Sequence, residues 1–238
     1  MIYYYKELYQ KMKVIVFDTE TTGLPKNQKS EPSINNLTDW PHIVQLSWIM
    51  YDTDKCSMIS ESDYIIKMTD GVIIPEESTK IHKITNEMCK TKGENLCKVI
   101  DKFMKNFDEA DLIVAHNMLF DHNMLKAELL RILTNHEFEF KNLLYYDNLL
   151  NSKKLFCTMQ ETMEICCIKA KFPKSGKEYV KFPSLEEVHN YYFGYKPTNL
   201  HNALVDVMVC ARCFHMLRFG KDICEDNIKF RRFTNNLS

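Results

Sequence analysis

Short runs of apolar, β-branched residues open the chain, and stretches with an apolar residue at every third or fourth position follow. The first run, Lys13 to Asp18, carries Val14, Ile15, Val16 and Phe17 without a polar break and reads as a strand buried on both faces. Lys26 to Asp39 is rich in Lys, Asn, Ser and Pro and reads as a loop. Pro41 to Tyr51 mixes alternation with strong β formers, and Ser57 to Lys67 returns after the turn at Asp52–Lys55 with Tyr64, Ile65 and Ile66. The chain thus begins as a three-stranded antiparallel meander. Past Pro75 the pattern becomes helical. Ser78 to Thr85 reads as a short helix running into a turn. Thr91-Lys-Gly-Glu94 has capping-box spacing ahead of Leu96, Val99, Ile100, Phe103 and Phe107. Asp111 to Ala115 is a short buried strand, and Leu125, Leu129, Ile132 and Leu133 mark one face of the helix after Phe120. Leu155 to Thr158 reads as a last strand, with Met159, Met163 and Ile165 on a following helix. Ser184-Leu-Glu-Glu187 is a second capping box, opening a helix that Gly194 ends, and a final helix over 202–219 is closed by Gly220.

A meander followed by alternating helix and strand implies an α/β fold, a mixed sheet with helices on its faces. The expected organisation is an N-terminal extension over 1–12, one domain over 13–220, and a tail over 221–238. That tail contains Lys229-Phe-Arg-Arg-Phe and reads as a loosely held end. With 238 residues and 45% hydrophobic content, one sizeable core can form. A net charge of −1 gives no global signature of a nucleic-acid binder, so such binding would need local basic patches. No run approaches the roughly 18 apolar residues that span a bilayer. Lys6 and Glu7 interrupt the short apolar start, against a signal peptide. Nine cysteines, an odd count in a chain with ample core, read as reduced and mostly buried thiols. The expected location is intracellular, cytoplasmic or nuclear, neither secreted nor in a membrane. Cys210-x-x-Cys213 lies in the last helix with no second pair, which favours core packing over zinc.

Three places carry candidate chemistry. Asp18 and Glu20 stand two apart at the end of the first strand and so project from one face, beside Val14 and Val16. Like charges that close repel each other and lose hydration, costs that a cation offsets; an incidentally acidic strand end is the plainer account. Asp121 falls in the first turn of the helix after the fourth strand, where capping explains it as well as function does. If that strand runs parallel to the first, Asp121 reaches the same sheet end as Asp18 and Glu20. In His201-Asn-Ala-Leu-Val-Asp206, an offset of five turns a helix by about 500° and leaves the side chains about 140° apart. They converge only if His201 lies on the preceding loop. Asp206 is flanked by Ala203, Leu204, Val205, Val207 and Val209, so its carboxylate needs a partner or a metal.

Phe17-Asp-Thr-Glu-Thr-Thr-Gly-Leu24, Ala115-His-Asn-x-x-Phe-Asp121 and His201-x-Ala-x-x-Asp206 resemble, in order and spacing, the three motifs of the DEDD exonuclease superfamily. Ile81-His-Lys-Ile-Thr85 and Phe182-Pro-Ser-Leu-Glu-Glu187 extend the likeness over roughly 13–218. His201 stands five before Asp206, as in the histidine branch (DEDDh) of polymerase proofreading subunits, oligoribonuclease and stand-alone trimming enzymes. Cys157 stands where many relatives carry an Asp before the Thr; that position is not a ligand in the family.

The resemblance implies a ribonuclease H-like five-stranded mixed sheet and a 3′–5′ exonuclease. Such an enzyme would hydrolyse the 3′ end of DNA, single-stranded or frayed, to 5′-mononucleotides. It implies two Mg²⁺ or Mn²⁺ ions about 3.5–4 Å apart, held by hard oxygen ligands from Asp18, Glu20, Asp121 and Asp206. By the same resemblance Asp18 bridges both ions, and Glu20 and Asp206 hold the one that activates water. Asp121 helps anchor the other through its water shell. His201 takes the proton of the attacking water, a role suited to an unperturbed imidazole near pKa 6.5. Thr19, Thr21, Leu24 and Asn117 become substrate-binding candidates, Thr21 and Leu24 being equally open to turn chemistry and packing. The partners implied are a nucleic-acid 3′ end and a polymerase or another replication or repair protein. Two alternatives remain: an exoribonuclease or oligoribonuclease, and a silent module that binds nucleic acid or a polymerase. Loss of an acidic ligand would mark the latter, and none is lost. Lys169 to Lys181 places lysines around Phe172 and Tyr179, a mixture suited to phosphate contact and stacking, or to a solvated loop.

Overall fold

In the computed structural model, which describes residues 11–27, 29–135 and 140–235, the expected strands build a single sheet. Strand β1 (Lys13–Thr21) pairs antiparallel with β2 (Ile43–Asp52), and β2 pairs antiparallel with β3 (Ser57–Ile65). Helices α1 (Glu76–His82), α2 (Asn86–Lys92) and α3 (Leu96–Glu109) then lead to β4 (Leu112–Ala115). Strand β4 lies parallel to β1 on its other side. Helix α4 (Met118–Thr134) and helix α5 (Phe140–Ser152) carry the chain to β5 (Leu155–Cys157), parallel to β4. The order is β3-β2-β1-β4-β5, the mixed five-stranded ribonuclease H-like sheet that the motif likeness implies. Strand β1 is central. That is why its run of Val14, Ile15, Val16 and Phe17 has no polar face.

The two faces of β1 feed two cores. Ile15 and Phe17 pack with Phe103 and Phe107 of α3 and Met124 and Leu125 of α4. Val14 and Val16 pack with Val207, Cys210, Ala211 and Phe214 of helix α9 (Ala203–Phe219). The opposite side of α9 packs Val209 and Cys213 on Val188 of helix α8 (Leu185–Phe193). Covered on both sides, α9 is apolar nearly all round, as a buried helix must be. Its Cys210 and Cys213 are buried free thiols, in keeping with packing.

Several local readings differ. The box at Thr91–Glu94 does not open α3. Gly93 ends α2, Glu94 exchanges backbone hydrogen bonds with Ile65 and Lys67, and Asn95 caps α3 by accepting from the Lys98 amide. The helix expected after β5 breaks at Thr162 into α6 (Thr158–Glu161) and α7 (Met163–Cys166). Lys169–Lys171 (β6) and Glu178–Val180 (β7) form an antiparallel hairpin within the lysine-rich segment, where the sequence suggests a solvated loop slightly ahead of a strand-binding patch. The box at Ser184–Glu187 is present in full, and Gly194 and Gly220 end their helices in left-handed backbone, φ 77° and 66°.

The segment after Gly220 is not loosely held over its described part. It forms α10 (Ile223–Asp226) and α11 (Ile228–Thr234), and Phe230 is fully buried against the α9 core. A short Lys- and Arg-rich stretch concealed one apolar anchor per turn. Met12 likewise belongs to the fold, exchanging hydrogen bonds with Thr53. The rest of the expected extension, 1–10, and the last residues, 236–238, lie outside the described residues. Among the described residues no helix is long and apolar enough to cross a membrane.

Candidate active site

Strand β1 runs beyond its apolar core because residues 18–20 keep pairing with β2: Asp18 with Ser47, Thr19 with Leu46, Glu20 with Gln45. Its parallel neighbour stops sooner; the last β1–β4 pair is Val16 with Val114. Past that point β4 turns away and one edge of β1 is uncovered at its carboxylates. The resulting cleft is lined by Asp18, Glu20, Asp121, Asp206 and His201, with Leu24, Asn117, Phe120, Lys181 and Phe182 around them.

Three separate elements supply the acids. Asp18 and Glu20 face α9, as alternation requires, and Asp206 enters from the first turn of that helix. Carboxylate oxygens of Asp18, Glu20 and Asp206 all lie within 4.8 Å of one another. Asp121, in the first turn of α4, is 2% exposed and lines the same cleft. Its Oδ1 accepts from both the Thr19 amide (3.1 Å) and the Thr19 hydroxyl (2.7 Å), so β1 itself aims this carboxylate.

Crowding and burial push all four carboxyls upward. Asp18 stands well above the ordinary range, first by burial, then by the charges of Asp121, Asp206 and Glu20. Burial and the charges of Asp206 and Asp121 raise Glu20 to about 8. Burial lifts Asp121 to about 7 against the two bonds from Thr19, and Asp206 to about 7 against one from the His201 amide. Asp206 Oδ2 accepts that amide at 3.1 Å, whereas its Oδ1 is buried with no hydrogen-bond partner among the described residues. Converging hard oxygens, their mutual repulsion and, among the described residues, one orphaned buried oxygen fit a divalent cation.

His201 lies on the loop before α9, the placement that its spacing from Asp206 demanded. Its backbone is left-handed (φ 67°) and its side chain is exposed at the cleft. Leu24 is 69% exposed and lines the cleft, while Asn117, also left-handed (φ 72°), presents its side chain there without capping α4. Thr19 and Thr21 turn inward. Both donors of Thr19 are taken by Asp121, and the Thr21 hydroxyl donates to the Gly23 carbonyl at 2.6 Å, closing the turn. Of the two threonines, one positions a carboxylate and the other shapes the backbone.

Two groups were given no site role by the sequence. Phe182, half exposed, forms an apolar wall of the cleft; the sequence marked it only as the start of the Phe182–Glu187 likeness. Gln45 is buried in β2. It donates to Asp63 (2.8 Å) and accepts from the Ala203 amide (3.2 Å), capping the helix that carries Asp206. A lone Gln in an apolar strand was its only trace.

Comparisons with known proteins agree with this geometry. The chain is 25% identical over 211 residues to the DNA polymerase III epsilon subunit of Buchnera aphidicola (subsp. Acyrthosiphon pisum), covering 88% of this chain and 74% of that one. The epsilon subunit of Rickettsia prowazekii is 27% identical over 229 residues, covering 95% and 83%. Among solved structures, Escherichia coli exonuclease I in complex with a dT13 oligonucleotide superposes with a TM-score of 0.59 at 16% identity. The likeness takes in 88% of this chain but 42% of that one, so the present chain spans about two fifths of exonuclease I and shares its fold there. The exonuclease (RNase_T) family profile matches residues 15–214, a span that contains all four acids in order, and this chain therefore belongs to that family of DEDD 3′–5′ exonucleases.

Proposed function

We propose that this enzyme removes nucleotides from the 3′ end of single-stranded or frayed DNA as 5′-mononucleotides, with two divalent cations and His201 as general base. The observation that carries this reading is the Asp18–Glu20–Asp206 cluster with its unpartnered Asp206 Oδ1. Asp18, Glu20 and Asp206 would hold one cation, and Asp18 with Asp121 the other. When bound, Mg²⁺ or Mn²⁺ lowers the pKa of water and neutralises charge on the leaving 3′ oxygen. Exposed at the cleft, the His201 imidazole can take the proton of the attacking water. The hydrogen bond that its backbone amide donates to Asp206 ties the base to a carboxylate that would hold the metal. Leu24 and Phe182 offer apolar faces to the terminal base, and the Asn117 carboxamide can bond sugar or phosphate. Thr19 acts through Asp121 rather than on the substrate. DNA as substrate, and a polymerase as protein partner, are supported by the likeness to polymerase III epsilon subunits.

The test is a ladder assay on matched 5′-labelled DNA and RNA strands with Mg²⁺. Wild type should shorten DNA from its 3′ end, and Asp206→Ala and His201→Ala should each lower the rate by about 10²–10⁴-fold. Full activity in either variant would remove the assignment. Preferential shortening of the RNA strand would transfer the reading to an exoribonuclease.

A further inference from the structure

The β6–β7 hairpin leaves the domain between α7 and α8 and belongs to neither core. Its ladder runs Lys169–Val180, Ala170–Tyr179, Lys171–Glu178, and the Lys181 amide extends it by donating to the Ile168 carbonyl at 2.9 Å. Side chains on a strand alternate, so Tyr179 and Lys181 share one face. Lys181 lines the catalytic cleft, followed at once by Phe182. Tyr179 therefore stands about 7 Å further out along the same face, at two residues of strand rise. Across the ladder Phe172 stacks on Tyr179 with ring centroids 4.3 Å apart, and both rings are exposed to solvent. Beyond them lies the tip, with Lys174 and Lys177.

Charge is distributed unevenly over this hairpin. Lys169 and Lys171 flank Glu178 at 3.9 and 3.8 Å, and Lys181 is held by both oxygens of Glu187 at 2.7 Å. Lys174 and Lys177 have no carboxylate partner among the described residues. An exposed aromatic pair and two uncommitted cations, in line with the cleft, match what a single strand offers: a base to stack and phosphates to neutralise.

We infer that the β6–β7 hairpin is an arm that grips the single strand upstream of the 3′ end, through Phe172 and Tyr179 on its face and Lys174 and Lys177 at its tip. The inference rests on the exonuclease reading and adds to it a length requirement: a dinucleotide fills the cleft without reaching the arm.

The test compares full-length wild type, Phe172→Ala/Tyr179→Ala and Lys174→Gln/Lys177→Gln on the dinucleotide TpT and on dT12, across a KCl series, with melting temperature as a fold check. Both variants should cleave TpT at the wild-type kcat/KM. On dT12 the KM of each should rise about tenfold with kcat unchanged, and the lysine variant should have a salt slope shallower by about 1.4, at roughly 0.7 per phosphate contact. An unchanged dT12 KM and salt slope in both variants would overturn the arm while leaving the exonuclease reading intact. If wild type cuts neither substrate, that reading fails, and anisotropy of labelled dT12 with the same proteins decides the arm separately. Equal binding by all three proteins would overturn it.

Discussion

Asp206 is a carboxylate whose two oxygens have different fates. Oδ2 is satisfied by the His201 amide, and Oδ1 is buried and, among the described residues, unpartnered, which a cation would relieve. Thr19 does the complementary work for Asp121, giving both its amide and its hydroxyl to one oxygen. Thr19→Val keeps the volume and the amide but deletes the 2.7 Å bond. The expected outcome is an apparent Mg²⁺ affinity for activity about tenfold weaker, as for other residues that orient a ligand, with Thr19→Ser close to wild type. A Mg²⁺ titration of initial rate checks both. The left-handed backbone at His201 also shapes the choice of variant. Asn tolerates that conformation and a β-branched residue does not, so His201→Asn removes the proposed base while keeping the amide on Asp206.

At the level of elements, the site exists because β1 outlasts β4. That difference was only half legible. The apolar run ending at Asp18 marked the strand and its buried faces, and the period of two placed Asp18 and Glu20 on the α9 side. Nothing in residues 18–21 says that a polar Asp-Thr-Glu-Thr keeps pairing with β2, since the partner strand supplies those bonds. The same holds for α3: Thr91–Glu94 has the spacing of a cap, but pairing of Glu94 with the end of β3 takes that segment out of the helix. By contrast, caps made within one helix, Ser184–Glu187 and Gly220, were readable because every partner is local. Gln45 belongs to the illegible class, reaching from β2 to the start of α9. Gln45→Ala leaves the Ala203 amide uncapped and removes one of the two bonds that Asp63 Oδ1 accepts, the Ser47 hydroxyl keeping the other. It should cost about 1 kcal/mol in chemical denaturation and lower kcat more than it raises KM, because the start of α9 carries Asp206. A wild-type kcat would show that the cap is structural only.

Over the whole molecule, the described part of the C-terminal segment closes the α9 side of the sheet. Besides Phe230, one link is Arg212 of α9. Its guanidinium donates to both oxygens of Asp222 (3.0 and 2.6 Å) and to the Tyr195 hydroxyl (2.7 Å), and lies 3.7 Å from the centre of the Phe193 ring. Burial would raise the Asp222 carboxyl, but the bonds from Arg212 and the Cys224 amide outweigh it and hold the pKa below the usual value. A carboxyl held low in the folded state adds stability above its unfolded pKa, near 3.9, and loses it as pH falls through the folded value. Asp222→Asn should therefore be less stable than wild type at pH 7, by about 2 kcal/mol, between exposed and fully buried pairs. The gap should narrow below about pH 4. Denaturant melts at pH 7 and pH 3.5 measure it, and a gap that stayed constant would exclude the ion pair as its source.

The carboxylate cluster has a consequence that requires no nucleic acid. Four acids gathered where β1 is uncovered repel one another in the folded chain and not in the unfolded one, so they oppose the fold that assembles them. A cation that binds only the folded cluster removes that opposition, and its concentration over its dissociation constant sets the gain, about 2.7 kcal/mol at a hundredfold excess. A thermal-shift series with Mg²⁺, Mn²⁺, Ca²⁺ and Zn²⁺ thus ranks the ions directly, before any substrate is known. Asp206→Ala should flatten the ranking, and an equal rise in that variant would locate the binding elsewhere.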